Sequence, residues 1–168
     1  MSTSDPQTIP FDGVRLRYSS TKSFDELVNA VLNDVGREPV PIDDIGKLYP
    51  DWESYEHEVQ SHVGPHGFML FGSFNHGGWI AKAGIHRKVL RLVIGNPLIA
   101  ITMISHDVTA GLFAPVELLL TEEENDTSAL TYVVPSSLMV VEPNPPLLSA
   151  AQALDAKLAA LAADVSGT

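Results

Sequence analysis

Apolar positions along the chain switch between a period of two and a period of about 3.6, and the switches mark out its elements. Val14–Tyr18 (VRLRY) alternates apolar and basic residues, the pattern of a half-buried strand. Ser23 and Glu26 then form a capping box. Phe24, Leu27, Val28, Val31, Leu32 and Val35 fall on one helical stripe, which Gly36 ends. GFMLFGSF (67–74) predicts a strand, NHGG (75–78) a tight turn with two permissive glycines, and WIAKAG (79–84) the return strand. KVLRLVI (88–94) is a further strand that runs into Asn96-Pro97, where Asn caps a helix and Pro suits its first turn. The following LIAITMISH (98–106) is apolar almost all round, which predicts a helix buried on more than one side, closed by Asp107–Gly111.

VELLLTEE (116–123), the turn ENDT (124–127) and ALTYVVP (129–135) complete a hairpin. After the Pro-rich link VEPNPP (141–146), Ser149 is the expected cap of a last helix with the stripe Leu154, Leu158, Leu161 and Val165. Strands joined by short hairpins, with few helices between them, indicate an α+β fold. The expectation is a single domain (14–168), with an antiparallel sheet carrying helices mainly on one face, behind an N-terminal tail (1–13). Residues 37–64 change character. Their prolines and dense carboxylates read as an acidic surface insertion, with a short helix near Asp51–Gln60 and with Tyr49, Trp52 and Tyr55 ordering it.

At 168 residues and 45% hydrophobic, the chain has enough apolar surface to build a sizeable core. Its formal net charge of -11 argues against nucleic acid and anionic membrane as partners, since both reward clustered Lys and Arg. There is no cysteine, which excludes disulfides, thiolate metal sites and a Cys nucleophile. The start MSTSDPQTIPFDG has neither the basic end nor the apolar stretch of a secretory signal, and no apolar run is long enough to span a bilayer, so a cytoplasmic location is expected. The NDT triplet at Asn125 is then a chance match to a glycosylation acceptor.

KVLRLVIGNPLIAITMISHD (88–107), followed by AGLFAPVELLL (110–120) and an acidic hairpin, resembles the domain-of-unknown-function 302 family. The matching positions are Asn96, Pro97, Gly111, Leu112 and Pro115: a strand ending in Asn-Pro, a helix, a Gly-Leu-Leu-Pro-like turn and a strand. The resemblance covers Val14–Gly36, Gly67 to about Met139 and the final helix, with 37–64 longer than the family's connection. It implies a small α+β domain that forms homodimers, and it implies no established reaction.

Candidate chemistry is spread along the chain. His76 and Trp79 in the glycine-rich turn, with His86 seven residues on, make a small-molecule wall, or else a turn whose Trp packs on the core. Glu117 alternates with apolar neighbours in VELLLT. It is either a solvent-facing carboxylate or a buried acid–base group, with Arg15, Arg17 or Arg91 as its partner in either case, and with His86 it makes up the catalytic candidates. Asn96 either aims free helix N–H groups at an anion or simply caps its own helix. His106, on a stripe with Ile99 and Met103, reads first as a capping residue and is kept in the ligand-binding set.

His57, His62 and His66 lie near several glutamates. HEVQSH is one residue longer than the HExxH zinc motif, so its imidazoles diverge by roughly 140° around a helix. A metal or haem would have to be gathered by a loop. No GxSxG nucleophile and no Gly-rich phosphate loop is present. The leading expectation is a small-molecule pocket near NHGGW, extended to acid–base catalysis by His86 and Glu117. A metal- or haem-binding module and an interaction protein whose acidic segment meets a basic partner are the alternatives.

Overall fold

A computed structural model of the protein describes residues 5–168. The first four residues of the expected tail, and of the segment read for a signal, lie outside them. Five strands, β1 (Arg15–Ser20), β2 (Met69–Asn75), β3 (Val89–Gly95), β4 (Val116–Glu122) and β5 (Ser128–Val133), form one sheet in the order β1-β5-β4-β3-β2. Every neighbouring pair is antiparallel. The fold is therefore α+β, as the strand spacing predicts.

The period of two decides the faces. Leu92 and Ile94 of β3, Leu118 and Leu120 of β4, and Leu130 and Tyr132 of β5 point inward and are buried. Helix α1 (Phe24–Val35) and the final helix α7 (Pro145–Ser166) pack on that face through Leu27, Val31, Leu158 and Leu161, all fully buried. Ser23 accepts from the Glu26 amide while Glu26 accepts from the Ser23 amide, so the capping box forms as read. The opposite face carries Arg15, Arg17, Phe74 and Glu117 exposed around a half-buried centre of Val93, Leu119 and Val133.

Residues 37–64 are not loose. Helices α2 (Ile42–Leu48) and α3 (Trp52–Gln60) bury Ile45 and Val59 against Met69, with Tyr49, Tyr55 and Leu98 around this second core. The Val40 amide donates to the Leu70 carbonyl at 2.8 Å, which occupies part of the free edge of β2. Trp52 contributes less than expected: it is half exposed and meets the rest through the Tyr55 ring, 5.9 Å away.

Three local expectations fail. NHGGWIAKAG forms no hairpin. Asn75 accepts from the Gly78 amide and caps a short helix, α4 (His76–Ile80), which a 3-10 turn (Ala81–Ala83) extends. WIAKAG lacks alternation, and its Ala and Lys suit a helical turn better than a strand. The return strand is β3. Gly77 serves close approach, since a Cβ there would sit 3.0 Å from the Arg87 carbonyl oxygen. Helix α7 starts at Asn144-Pro145 rather than Ser149, because Asn144 accepts from the Leu147 amide and proline fills the first position. Helix α5 (Pro97–Ile104) is not sealed all round: only Met103 is buried, while Ile101 is 40% exposed.

The remaining element, α6 (Pro135–Met139), links β5 to α7. Leu118 lies at the centre of the inner face with no exposure. Truncating it to alanine is expected to cost about 2–5 kcal/mol, whereas Ser23→Ala should cost about 1 kcal/mol. Denaturant melts of the two variants check this ranking.

Candidate functional site

Among the described residues, the chamber with the most apolar lining is not beside the NHGGW segment. It lies where β3 hands over to α5, between α5, α7, α2 and the start of β4, and has a volume of about 280 Å³. Three local features build it. The register of β2 against β3 slips between Leu70 and Gly72, and this bulge turns Phe71 out of the ladder. The Phe71 ring closes on Gly95 so tightly that a Cβ there would be 2.9 Å from it and 3.1 Å from Pro115 Cβ. Pro115, after a cis peptide from Ala114, forms the facing wall. Phe68, Ile99, Met103 and Leu154 supply the floor.

Asn96 is the polar side chain among the residues lining this cavity. Its Oδ1 accepts from the Leu98 amide at 2.9 Å and its Nδ2 donates to the Gly67 carbonyl at 3.0 Å. The amide is thus spent on capping α5 and on holding the loop before β2. Among the described residues, no titratable side chain lines the cavity. The space suits an apolar body and offers no general acid or base.

The other predicted residues are dispersed. His76 and Trp79 contact one another, with the indole N–H donating to His76 Nδ1 at 3.3 Å, and Trp79 is 59% exposed. His86 lines a polar groove with Arg87, Glu122, Glu123 and Asn125. Glu117 sits on the open face of the sheet in a two-point pair with Arg91, whose guanidinium also lies over the Phe74 ring at 5.4 Å. His86 and Glu117 therefore line different concavities. His106 is exposed just past the end of α5, and its carbonyl accepts from Asn144 Nδ2 at 3.5 Å. Among the insertion histidines, His57 is exposed, His62 Nε2 meets Glu58 at 3.0 Å, and His66 Nδ1 meets Asp34 at 2.5 Å. They do not gather into one cluster.

Of the residues that line the cavity, only Asn96 was among the candidates. Phe71, Gly95 and Met103 read as ordinary strand and helix residues. The available signal was Pro97 and Pro115, two positions of the matching motif that come together across this space.

The fold and the cavity define a small α+β domain with an antiparallel sheet, two helices on its inner face and an apolar chamber at the strand-to-helix junction. The sequence model for the domain of unknown function DUF302 matches residues 47–165, and the chain belongs to that family. The match takes in α3, so the resemblance reaches into the segment read as an insertion, while β1 and α1 precede the matched span. No curated protein matches the chain. The crystal structure of an uncharacterised conserved DUF302 protein from Bacillus stearothermophilus is similar over 90% of this chain and 97% of that one, with a TM-score of 0.62 and 17% identity. At that identity the likeness establishes the fold alone. Among the described residues no helix is long and apolar enough to cross a membrane.

The groove around His86 has its own electrostatics. Thr121 Oγ1 donates to Glu123 at 2.6 Å, and Arg17 and Arg87 add ion pairs at 3.0 and 2.7 Å. The hydroxyl first, then the two guanidiniums, hold the Glu123 carboxyl below its ordinary value of 4.5. A carboxyl depressed in the folded state adds stability above its unfolded pKa and loses it as pH falls through the folded one. The stability gap between wild type and Glu123→Gln should therefore be full at neutral pH and shrink below pH 4.5. Thermal melts across that range check it; a gap that stays constant would remove the assignment.

Proposed function

We infer that the protein is a binding domain that takes a small apolar ligand into the chamber beneath Asn96-Pro97. One observation carries this reading: a cavity of about 280 Å³ is walled by apolar side chains and lies between two positions of the family motif, Pro97 and Pro115. An apolar cavity of about 150 Å³ is enough to stay dry and admit benzene, so this one has room for a substituted ring or a short branched chain. Binding rather than catalysis is supported, because the wall carries no ionisable group and the proposed pair His86 and Glu117 lies elsewhere. Burial of the ligand's apolar surface supplies the driving force.

Ala100 lines the chamber on α5, away from the fully buried core. Ala100→Trp should fill the space and weaken binding of indole or toluene by roughly tenfold or more with little change in melting temperature. Titration calorimetry on both proteins measures it. Unchanged affinity in the variant, or no binding of such probes to wild type, would overturn the reading.

The family resemblance also implies a homodimer, and the open face of the sheet supports a second copy of this chain as its cover. Val93, Leu119 and Val133 form an apolar centre there, with Arg15, Arg17 and the Arg91–Glu117 pair around it. Self-complementary charge of this kind suits a two-fold contact. Sedimentation should give twice the chain mass for wild type and the chain mass for Leu119→Lys. A monomeric wild type at high micromolar concentration would sink the dimer.

A further inference from the structure

The two helices on the inner face, α1 and α7, end close together, and the chemistry at their ends is unbalanced. Asp34 lies in the last turn of α1 and Asp164 in the last turn of α7, and neither turn carries a basic residue. A helix C-terminus already presents negative potential, so a carboxylate there is misplaced unless a cation lies nearby. Lys22 reaches the Val165 carbonyl at 2.7 Å and satisfies that acceptor rather than the carboxylates. His66, on the loop before β2, stands between the two: Nδ1 is 2.5 Å from Asp34 Oδ2 and Nε2 is 4.0 Å from Asp164 Oδ2.

Two polar groups are left over. The Asp34 side chain is only 8% exposed, and its Oδ1 is buried with no hydrogen-bond partner among the described residues. His66 Nε2 is too far from Asp164 for a hydrogen bond. In the tautomer in which His66 Nδ1 donates to Asp34 Oδ2, Nε2 keeps its lone pair, turned towards Asp164. A carboxylate behind an imidazole whose far nitrogen is free is the arrangement that orients histidine as a metal ligand.

We propose that His66 Nε2 and Asp164, with Asp34 orienting the imidazole from behind, form a site for a divalent transition-metal ion such as Zn²⁺. One donor atom from each residue lies within 4.8 Å of the others. The Asp164 side chain, 71% exposed, is free to swing and close that gap, while Asp34 and His66 are held by their surroundings. One carboxylate on the ion and one behind the imidazole offset its charge, and mixed nitrogen and oxygen donors suit zinc or manganese better than calcium, which takes six to eight oxygens. The site is separate from the apolar chamber but close to its wall: Gly67, next to His66, is the residue whose carbonyl Asn96 holds, and Phe68 follows.

The test is a thermal shift and calorimetric titration of metal-free protein with ZnCl2 and MnCl2, on wild type, Asp164→Asn and His66→Gln. At a hundredfold excess over Kd the wild-type melting temperature should rise by roughly 5–10 °C. Asp164→Asn, at an exposed position, should fold with an unchanged metal-free melting temperature and lose at least about tenfold in affinity. His66→Gln should abolish binding. No shift in wild type with either metal, or equal shifts in wild type and Asp164→Asn, would overturn the proposal. So would stability that depends on pH but not on metal, which would make His66 an imidazolium clamp and nothing more.

Discussion

The side chain of Asn96 fixes the geometry on which the rest depends. A buried strand that turns directly into a helix must satisfy the helix's first amides and hold the chain's direction within two residues. Asn96 does both, accepting from Leu98 and donating to Gly67, so one amide joins β3, α5 and the loop that starts β2. Gly95 before it has no room for a side chain because Phe71 and Pro115 close against its backbone. Close approach at Gly95 and a gap beneath Pro97 are two results of the same turn: walls that meet at the backbone part again where α5 rises from the sheet.

This origin explains the chemical character of the chamber. Its walls come from positions that the sheet and helices would bury in any case, such as Phe68, Met103 and Val116, so they are apolar for reasons of folding. The ionisable groups lie outside it, and several are paired with each other. Arg91 is paired with Glu117, Glu123 with Arg17 and Arg87, and Lys88 with Asp25. For an exposed pair such interactions add little stability.

Much of the architecture was legible along the chain because it rests on local period and local capping. The stripe from Leu27 to Val35 and the alternation in KVLRLVI and VELLLT each report a face directly. The candidate sites were less legible. NHGGW looked like a hairpin because two glycines permit a turn, but whether Asn75 caps a helix or a turn depends on the backbone of Arg87, which passes 3.0 Å from a Cβ placed on Gly77. HEVQSH drew attention to histidine spacing within one segment, whereas His66 finds Asp34 from a residue 32 positions earlier.

By itself the sequence determined the α+β class, the antiparallel strands, the inner faces of the strands and α1, and the Asn-Pro start of α5, because each is set by residues within one or two turns of each other. Only the tertiary structure decided where the chamber lies, that Phe71 leaves the ladder to wall it, and that two helix ends bring Asp34 and Asp164 to His66. Those outcomes depend on how distant elements stack, and a one-dimensional pattern of polar and apolar positions specifies which face is buried without specifying which remote residue will meet it.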